Sequence, residues 1–220
     1  MIAIIDYGMG NLASVYKAVR YAGYDPKVTA DPVMVSKADL IILPGVGAMA
    51  QAMNNLERSG LTEPLLRSVE DGKPFLGICL GYQMLFESSE EGMGEGQPAV
   101  RGLGLLKGKV LKFADMPRIK VPHMGWNKLS VRNSSYLEGG EFMYFVHSFY
   151  PKPEDYDSIT STTRHGVQFA ASVEMNNIFA TQFHPEKSGT AGIQLLKKWL
   201  SANAGPGSLG IGTGIGGTAK

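Results

Sequence analysis

Three short apolar runs, each broken by a glycine turn, constrain the fold of this chain more than any other feature. Ile2–Ile5 ends at Asp6-Tyr7-Gly8, Ala38–Leu43 is stopped by Pro44-Gly45, and Phe75–Ile78 runs into Cys79-Leu80-Gly81. Runs this continuously apolar, interrupted by charge only at Asp39 in the second, suit strands covered on both faces; a half-exposed strand would alternate. Helical patterns lie between them. Asn11 to Ala22 carries Leu12, Val15, Tyr16 and Val19 at helical spacing and is ended by Gly23, while residues 48–57 and 61–71 read as helices separated by Gly60. Pro26–Thr29 is a weaker strand, and Tyr82–Glu87 is expected to continue as a helix. This alternation predicts an α/β fold, with a mostly parallel central sheet and helices on both faces.

The second half changes character. Val110–Phe113, Phe142–Tyr150, Ser158–Thr163, Gln168–Val173 and Ile178–Phe183 are strand-like with short polar breaks, so this half should be strand-rich and largely antiparallel. A last helix, Gly189 to Ala202, places Ile193, Leu196, Trp199 and Leu200 on one stripe. Residues 1–202 are therefore read as one domain. Residues 203–220 are read as a flexible tail, because the final 17 residues hold seven glycines and cannot bury enough surface to offset their ordering entropy. The glycine spacing there superficially matches a dinucleotide loop, but no strand precedes it and no helix follows.

Composition excludes several classes. With a net charge of +1, no global field points to nucleic acid or an anionic membrane. Lys107, Lys109 and Lys112 sit on an alternating segment and read as a solvated face. A single cysteine allows no internal disulfide and fits a reducing cytoplasm. The N-terminal apolar run lacks the basic residues and cleavage site of a signal peptide, and no apolar stretch approaches the roughly 20 residues that span a bilayer. One cysteine and four dispersed histidines lack metal-ligand spacing, and no organic cofactor motif is present.

The chemistry concentrates at Gly77-Ile78-Cys79-Leu80-Gly81. An apolar strand leads into it and a helix is expected after it, which is the nucleophile-elbow pattern with cysteine in the serine position. A sharp strand-to-helix turn lifts the nucleophile above the sheet, and the flanking glycines let neighbouring backbone come close. Backbone N–H groups at the start of the helix favour an anion at the sulfur and at a developing oxyanion.

A thiol needs a base. His184 follows the strand Ile178–Phe183 directly, and Glu186 is two residues on, so on extended backbone the carboxylate can share its face and hold one imidazole nitrogen. His165, beside Gly166, reads as a loop residue, whereas His123 and His147 lie in aromatic-rich segments as core or pocket-wall histidines. A surface His-Pro turn with a solvated glutamate is the competing reading of residues 184–186.

G-I-C-L-G-Y-Q at 77–83 together with F-H-P-E at 183–186 resembles the class I (triad) glutamine amidotransferase family. D-Y-G-M-G-N at 6–11, P-G-V-G at 44–47, P-H-M-G-W-N at 122–127, Y-F-V-H-S-F at 144–149 and Lys187-Ser188 are similar, within that family, to the glutaminase subunits of imidazole glycerol phosphate synthase. The likeness covers residues 1–202. It implies that Cys79 attacks the side-chain amide of glutamine, that His184 shuttles the proton and that Glu186 orients it. It places the backbone of Val46, Gly47 and Leu80 at the oxyanion, and Gly45, Gln83, Glu91, His147, Ser148 and Phe149 around the glutamine. Phe149 departs from the tyrosine the family commonly carries there. The resemblance further implies a heterodimer with a (β/α)8-barrel cyclase subunit that receives the ammonia, docked near Asn11, Tyr144 and Lys187. Read from residues alone, Asn11 is equally a helix N-cap, and Glu91 and Lys187 are equally solvated charges. A glutaminase subunit of the anthranilate, pyridoxal phosphate or purine pathway, a cysteine hydrolase with the same elbow, and a non-catalytic copy of the fold remain the alternatives.

Overall fold

The structure is a computed structural model of the 220-residue chain that describes residues 1–92 and 98–205. The predicted tail therefore falls mostly outside the described residues. The elements, in chain order, are β1 Ile2–Ile5, α1 Leu12–Tyr21, β2 Pro26–Thr29, α2 Pro32–Ser36, β3 Leu40–Gly45, α3 Met49–Arg58, α4 Thr62–Glu70, β4 Phe75–Cys79 and α5 Leu80–Gln83. They continue with β5 Phe86–Ser89, β6 Val100–Arg101, β7 Leu106–Lys112, β8 His123–Lys128, β9 Ser130–Val131, β10 Phe142–His147, β11 Phe149–Pro153, β12 Ile159–His165, β13 Val167–Met175, β14 Ile178–Thr181 and α6 Gly189–Asn203.

An eight-stranded sheet in the order β2-β1-β3-β4-β14-β13-β12-β9 forms the centre. The run from β2 to β14 is parallel, and β13, β12 and β9 continue it antiparallel. The apolar runs are buried on both faces, as their composition requires. Ala3, Ile5, Ile41, Leu43 and Phe75 enter one core with Val35, Leu56, Leu65 and Val69 from α2, α3 and α4. Ile2, Ile4, Leu40, Ile42 and Leu76 point the other way, onto Val15, Val19, Leu196 and Trp199 of α1 and α6. Each such aliphatic side chain contributes about 1.5–3 kcal/mol by burial, which holds the strand ends that carry the site. α1 begins at Asn11, whose side chain accepts from the Ser14 amide, and ends at Gly23 with φ +99°. No described helix is long and apolar enough to cross a membrane.

Three local expectations give way. Pro44-Gly45 does not stop β3: the strand runs through both residues, because Pro44 and Gly45 pair in register with Ile78 and Cys79. After the elbow the helix is a single turn, Leu80–Gln83, and not a helix over 82–87; Phe86–Ser89 instead becomes a strand paired with β7 and β6. Pairing available elsewhere in the chain outweighs the local helical pattern. Phe142–Tyr150 divides at Ser148 into β10, which pairs with β8, and β11, which pairs with β7. The alternating lysines Lys107, Lys109 and Lys112 on β7 are exposed, as read.

Candidate active site

Cys79 ends β4 with φ +56° and ψ −105°, a conformation rare for any residue with a side chain. What forces it is close packing: a Cβ placed on Gly81 would lie 1.9 Å from the Leu43 carbonyl oxygen, so the chain after Cys79 can run against β3 only as glycine. The register that opposes Gly45 to Cys79 brings the Gly45–Gly47 backbone beside the sulfur, and the Tyr7 hydroxyl donates to the Pro44 carbonyl at 3.0 Å. Burial, with the charge of Cys79, pushes the Tyr7 phenol well above its ordinary value, so it remains a donor.

His184 stands at the end of the chain leaving β14. Its backbone N–H donates to Tyr144 O at 2.9 Å, and the Ser188 hydroxyl donates to its carbonyl at 2.6 Å. The segment that follows is not extended: Pro185–Lys187 forms a 3-10 turn, initiated by the fixed φ of Pro185. The turn still brings Glu186 Oε1 to 2.7 Å from His184 Nδ1, with both side chains almost wholly buried. Burial alone would depress this imidazole, but the charge of Cys79 and the Glu186 carboxylate outweigh it and raise the pKa to about 10. Nε2 makes no hydrogen bond among the described residues. It is the nitrogen left for the sulfur, which lies near enough to act on the ring although outside hydrogen-bond geometry in this state.

A cavity of about 320 Å³ opens over the thiol. Its walls contain Val46, Gly47, Cys79, Leu80, Gln83, Glu91, His147, Ser148 and Phe149, so positions as far apart in the sequence as Val46 and Phe149 converge on one space. Gln83 is not free to swing, since its Nε2 donates to Phe149 O at 2.8 Å and Gln182 Oε1 at 2.9 Å. Glu91 accepts from the Met49 amide, so it caps the start of α3, which lacks a side-chain cap of its own. Burial raises its carboxyl, and the Met49 amide pulls it part of the way back. A larger cavity, of about 610 Å³, lies against Tyr150, Arg132 and Phe169, away from the thiol.

His165 is not a loop residue: it ends β12 and its ring stacks on His123 at 4.3 Å. His123 in turn approaches His147, with Nδ1 3.0 Å from His147 Nε2. Sequence reasoning missed Gln182, which donates Nε2–H to Cys79 Sγ at 3.6 Å. The available signal was a glutamine inside the apolar strand run I-F-A-T-Q-F.

The model of the glutamine amidotransferase class-I family matches residues 3–202. The chain belongs to the class I glutamine amidotransferase family. Within it, the chain is 47% identical over 213 residues to the imidazole glycerol phosphate synthase subunit HisH of Geobacter metallireducens, covering 92% of this chain and 99% of that one. It is 51% identical over 203 residues to HisH of Methanothermobacter thermautotrophicus, covering 91% and 98%. The amidotransferase fold is shared more widely. A crystal structure of a glutamine amidotransferase superposes with a TM-score of 0.71 at 19% identity, covering 91% of this chain and 98% of that one. PurLQS from Thermotoga maritima superposes at 0.68 with 22% identity, covering 91% and 97%.

Proposed function

We propose that this class I amidotransferase is the glutaminase subunit of an imidazole glycerol phosphate synthase, hydrolysing glutamine to glutamate and ammonia through Cys79, His184 and Glu186. The observation that carries the reading is the pairing of a strained, cavity-facing thiol with a buried imidazole already held on its far side by a carboxylate at 2.7 Å. The thiolate attacks the side-chain amide carbon, and the carbonyl electron pair moves onto oxygen. Backbone N–H groups of Val46, Gly47 and Leu80 face that oxygen. His184 gives its proton to the leaving nitrogen, the C–N bond breaks and ammonia departs, leaving a thioester. Water, deprotonated by His184, then releases glutamate. Glu186 keeps the imidazole oriented throughout. A cavity of about 320 Å³ lies at the small end of the ligand-pocket range, which suits an amino acid. In it Glu91 presents a negative charge for the substrate's ammonium, and Gln83, His147, Ser148 and Phe149 shape the remainder, while Gly45 lies behind the lining, packed against Tyr7 and Leu80.

The ammonia passes to a partner, a cyclase subunit built as a (β/α)8 barrel, for synthesis of imidazole glycerol phosphate and aminoimidazole carboxamide ribotide. Support comes from the β8–β10 hairpin. Its inner face, with His123, Phe145 and His147, is buried, while its outer face pairs Trp126 with Tyr144 and Met124 with Val146. Met124 and Trp126 are 64% and 55% exposed, unusual for large apolar side chains placed together. Val146 belongs both to this face and to the cavity wall. Tyr144 N accepts no slack either: it donates to Ser188 Oγ at 2.9 Å while Tyr144 O receives the His184 amide. A partner seated on Tyr144 presses directly on the backbone of the base, and the family likeness adds Lys187 and Asn11 to the docking face.

The test is glutamate release by the purified chain, alone and with the cyclase subunit plus its nucleotide ligand. Ligand-dependent release that disappears in Cys79→Ala is the expected result. Full release by Cys79→Ala would remove the thiol from the mechanism, and strong release without the partner would remove the coupling.

A further inference from the structure

Gln182 is completely buried immediately before Phe183-His184, and its backbone N–H donates to Ala171 O at 2.8 Å. Its side chain spans two groups of the site, with Nε2 3.6 Å from Cys79 Sγ and Oε1 2.9 Å from Gln83 Nε2. The polarity of this chain follows from its outer end. Gln83 lies 2.8 Å from the Phe149 carbonyl, which can only accept, so the Gln83 atom there is its nitrogen. The same nitrogen meets Gln182, which must therefore offer its oxygen and turn its NH2 toward the sulfur. The Phe149 carbonyl is itself pinned, because His147 Nδ1 donates to it at 2.7 Å. That leaves His147 Nε2 to accept from His123 Nδ1, and His123 Nε2 to accept from Asn127 Nδ2 at 3.2 Å.

We propose that Gln182 is a thiolate-holding residue of the hydrolysis: a neutral amide, aimed by the Gln83–Phe149 relay, that donates a hydrogen bond to the Cys79 sulfur before attack. The proposal rests on the reading of Cys79 as nucleophile and deepens it. An amide N–H stabilises S⁻ without competing for its proton, unlike a second acid or base. The relay also joins the sulfur to the substrate wall, because Gln83 and Phe149 line the cavity while Gln182 meets Cys79 behind it. During attack the sulfur loses its charge to the new C–S bond, so the Gln182 contact acts on the sulfur before attack and sets where it points. His184 and Tyr7, the titratable groups acting on or acted on by Cys79, are untouched by the substitutions below.

The experiment measures alkylation of Cys79 by iodoacetamide across pH 5–10 in the full chain, with Cys79→Ser as background and circular dichroism to check folding. A hydrogen bond to a charged group is worth about tenfold in equilibrium. The inflection should therefore rise by about one pH unit in Gln182→Leu, and further in Gln182→Glu, whose carboxylate faces the thiolate. Gln83→Leu, which frees the Gln182 amide without touching the sulfur, should raise it by a smaller amount and supplies the answer if the Gln182 variants do not fold. In glutamine hydrolysis at pH 7, Gln182→Leu should lower kcat about tenfold with KM within about twofold. An unchanged inflection in the folded variants overturns the proposal, as does a raised KM with kcat intact, which would make Gln182 a pocket wall. Absence of glutamine turnover by the wild type with the cyclase subunit and its nucleotide ligand present would count against the glutaminase reading alone, since the alkylation profile does not depend on it.

Discussion

The two walls of the cavity over Cys79 are made by opposite means. One wall, Val46 and Gly47 with Cys79, Leu80 and Gln83, is backbone geometry: two parallel strands in register behind it, and a strained turn between residues that admit no side chain. The other, Val146 to Phe149, hangs between two separate sheets and is held by side chains, through the chain of contacts among Phe149, His147, His123 and Asn127. The first wall is rigid because its atoms cannot be elsewhere. The second is rigid only while its imidazoles stay neutral and its network is complete.

Gly81→Ala should break the first wall outright. The added Cβ meets the Leu43 backbone carbonyl at 1.9 Å, where no flexible side chain can give way, so β3 or the α5 turn must move. A loss of about 4 kcal/mol or more is expected in urea unfolding, with glutamine hydrolysis absent. A variant that folds with native stability would show that the elbow is looser than its contacts imply.

Glu186→Gln tests the chemistry behind that wall without moving it, since Glu186 lines neither wall and touches the site only through His184. Removing the carboxylate while keeping the shape should lower kcat by about 10²–10⁴-fold, as misorienting an imidazole does in other triads. The pH dependence sharpens this. His184 is raised to about 10 in the folded protein, so the stability it contributes is fully present below its unfolded value of about 6.5 and is lost as pH rises through about 10. The midpoint of thermal unfolding should therefore fall across pH 6–10 in the wild type and fall less steeply in Glu186→Gln, which keeps the larger contribution of Cys79.

The contrast between walls also explains what the sequence could disclose. The fully apolar runs and the Gly77–Gly81 pattern spell out the parallel sheet and the elbow because both depend on neighbours along the chain. The positions of Cys79 at the elbow and of His184 just after β14 were readable for that reason, and the approach of Cys79 to His184 follows from where β4 and β14 end. The partners of β5 were not readable: Tyr82–Glu87 carries a helical pattern, and pairing with β7 and β6 makes Phe86–Ser89 a strand. Gln182 and the stacking of His165 on His123 were hidden likewise, since each is defined by residues tens of positions away.

His147→Gln probes the second wall. Burial lowers the His147 imidazole to about 3, and His123, also desolvated, to about 4. Between those values and about 6.5 the unfolded chain binds protons that the folded chain refuses, so stability falls as pH drops from 7 toward 4. For His147 the loss by pH 5 is about 1–2 kcal/mol, which urea titration at pH 7 and pH 5 measures. His147→Gln, which cannot titrate, should be less stable at pH 7 but lose less on acidification. Equal acid losses in both proteins would assign the sensitivity to other groups.

On the outer face of that wall, Trp126→Ala should leave stability within about 0.5 kcal/mol, because the ring is more than half exposed. Its expected effect is confined to partner-stimulated hydrolysis, reduced about tenfold or more if the indole anchors the interface. Titration of the cyclase subunit against glutamate release reads this directly, and an unaltered titration would move the docking surface elsewhere.

The smallest expected effect belongs to Asn11, where the two regions meet one residue with two roles. Its side-chain oxygen accepts from the Ser14 amide at 3.3 Å and caps α1, while the proposed docking uses the same exposed side chain. Asn11→Ala removes both and should cost about 1 kcal/mol of stability. Asn11→Asp separates them. Its carboxylate keeps the cap and is favoured by the positive end of the helix, so stability is retained, but the amide donor is gone and a negative charge faces the partner. Weakened cyclase binding by Asn11→Asp at unchanged Tm would establish docking as a role beyond the cap. Unchanged binding by Asp, with weakened binding only in the destabilised Ala variant, would reduce Asn11 to a cap that holds α1, and through it the frame on which the first wall is built.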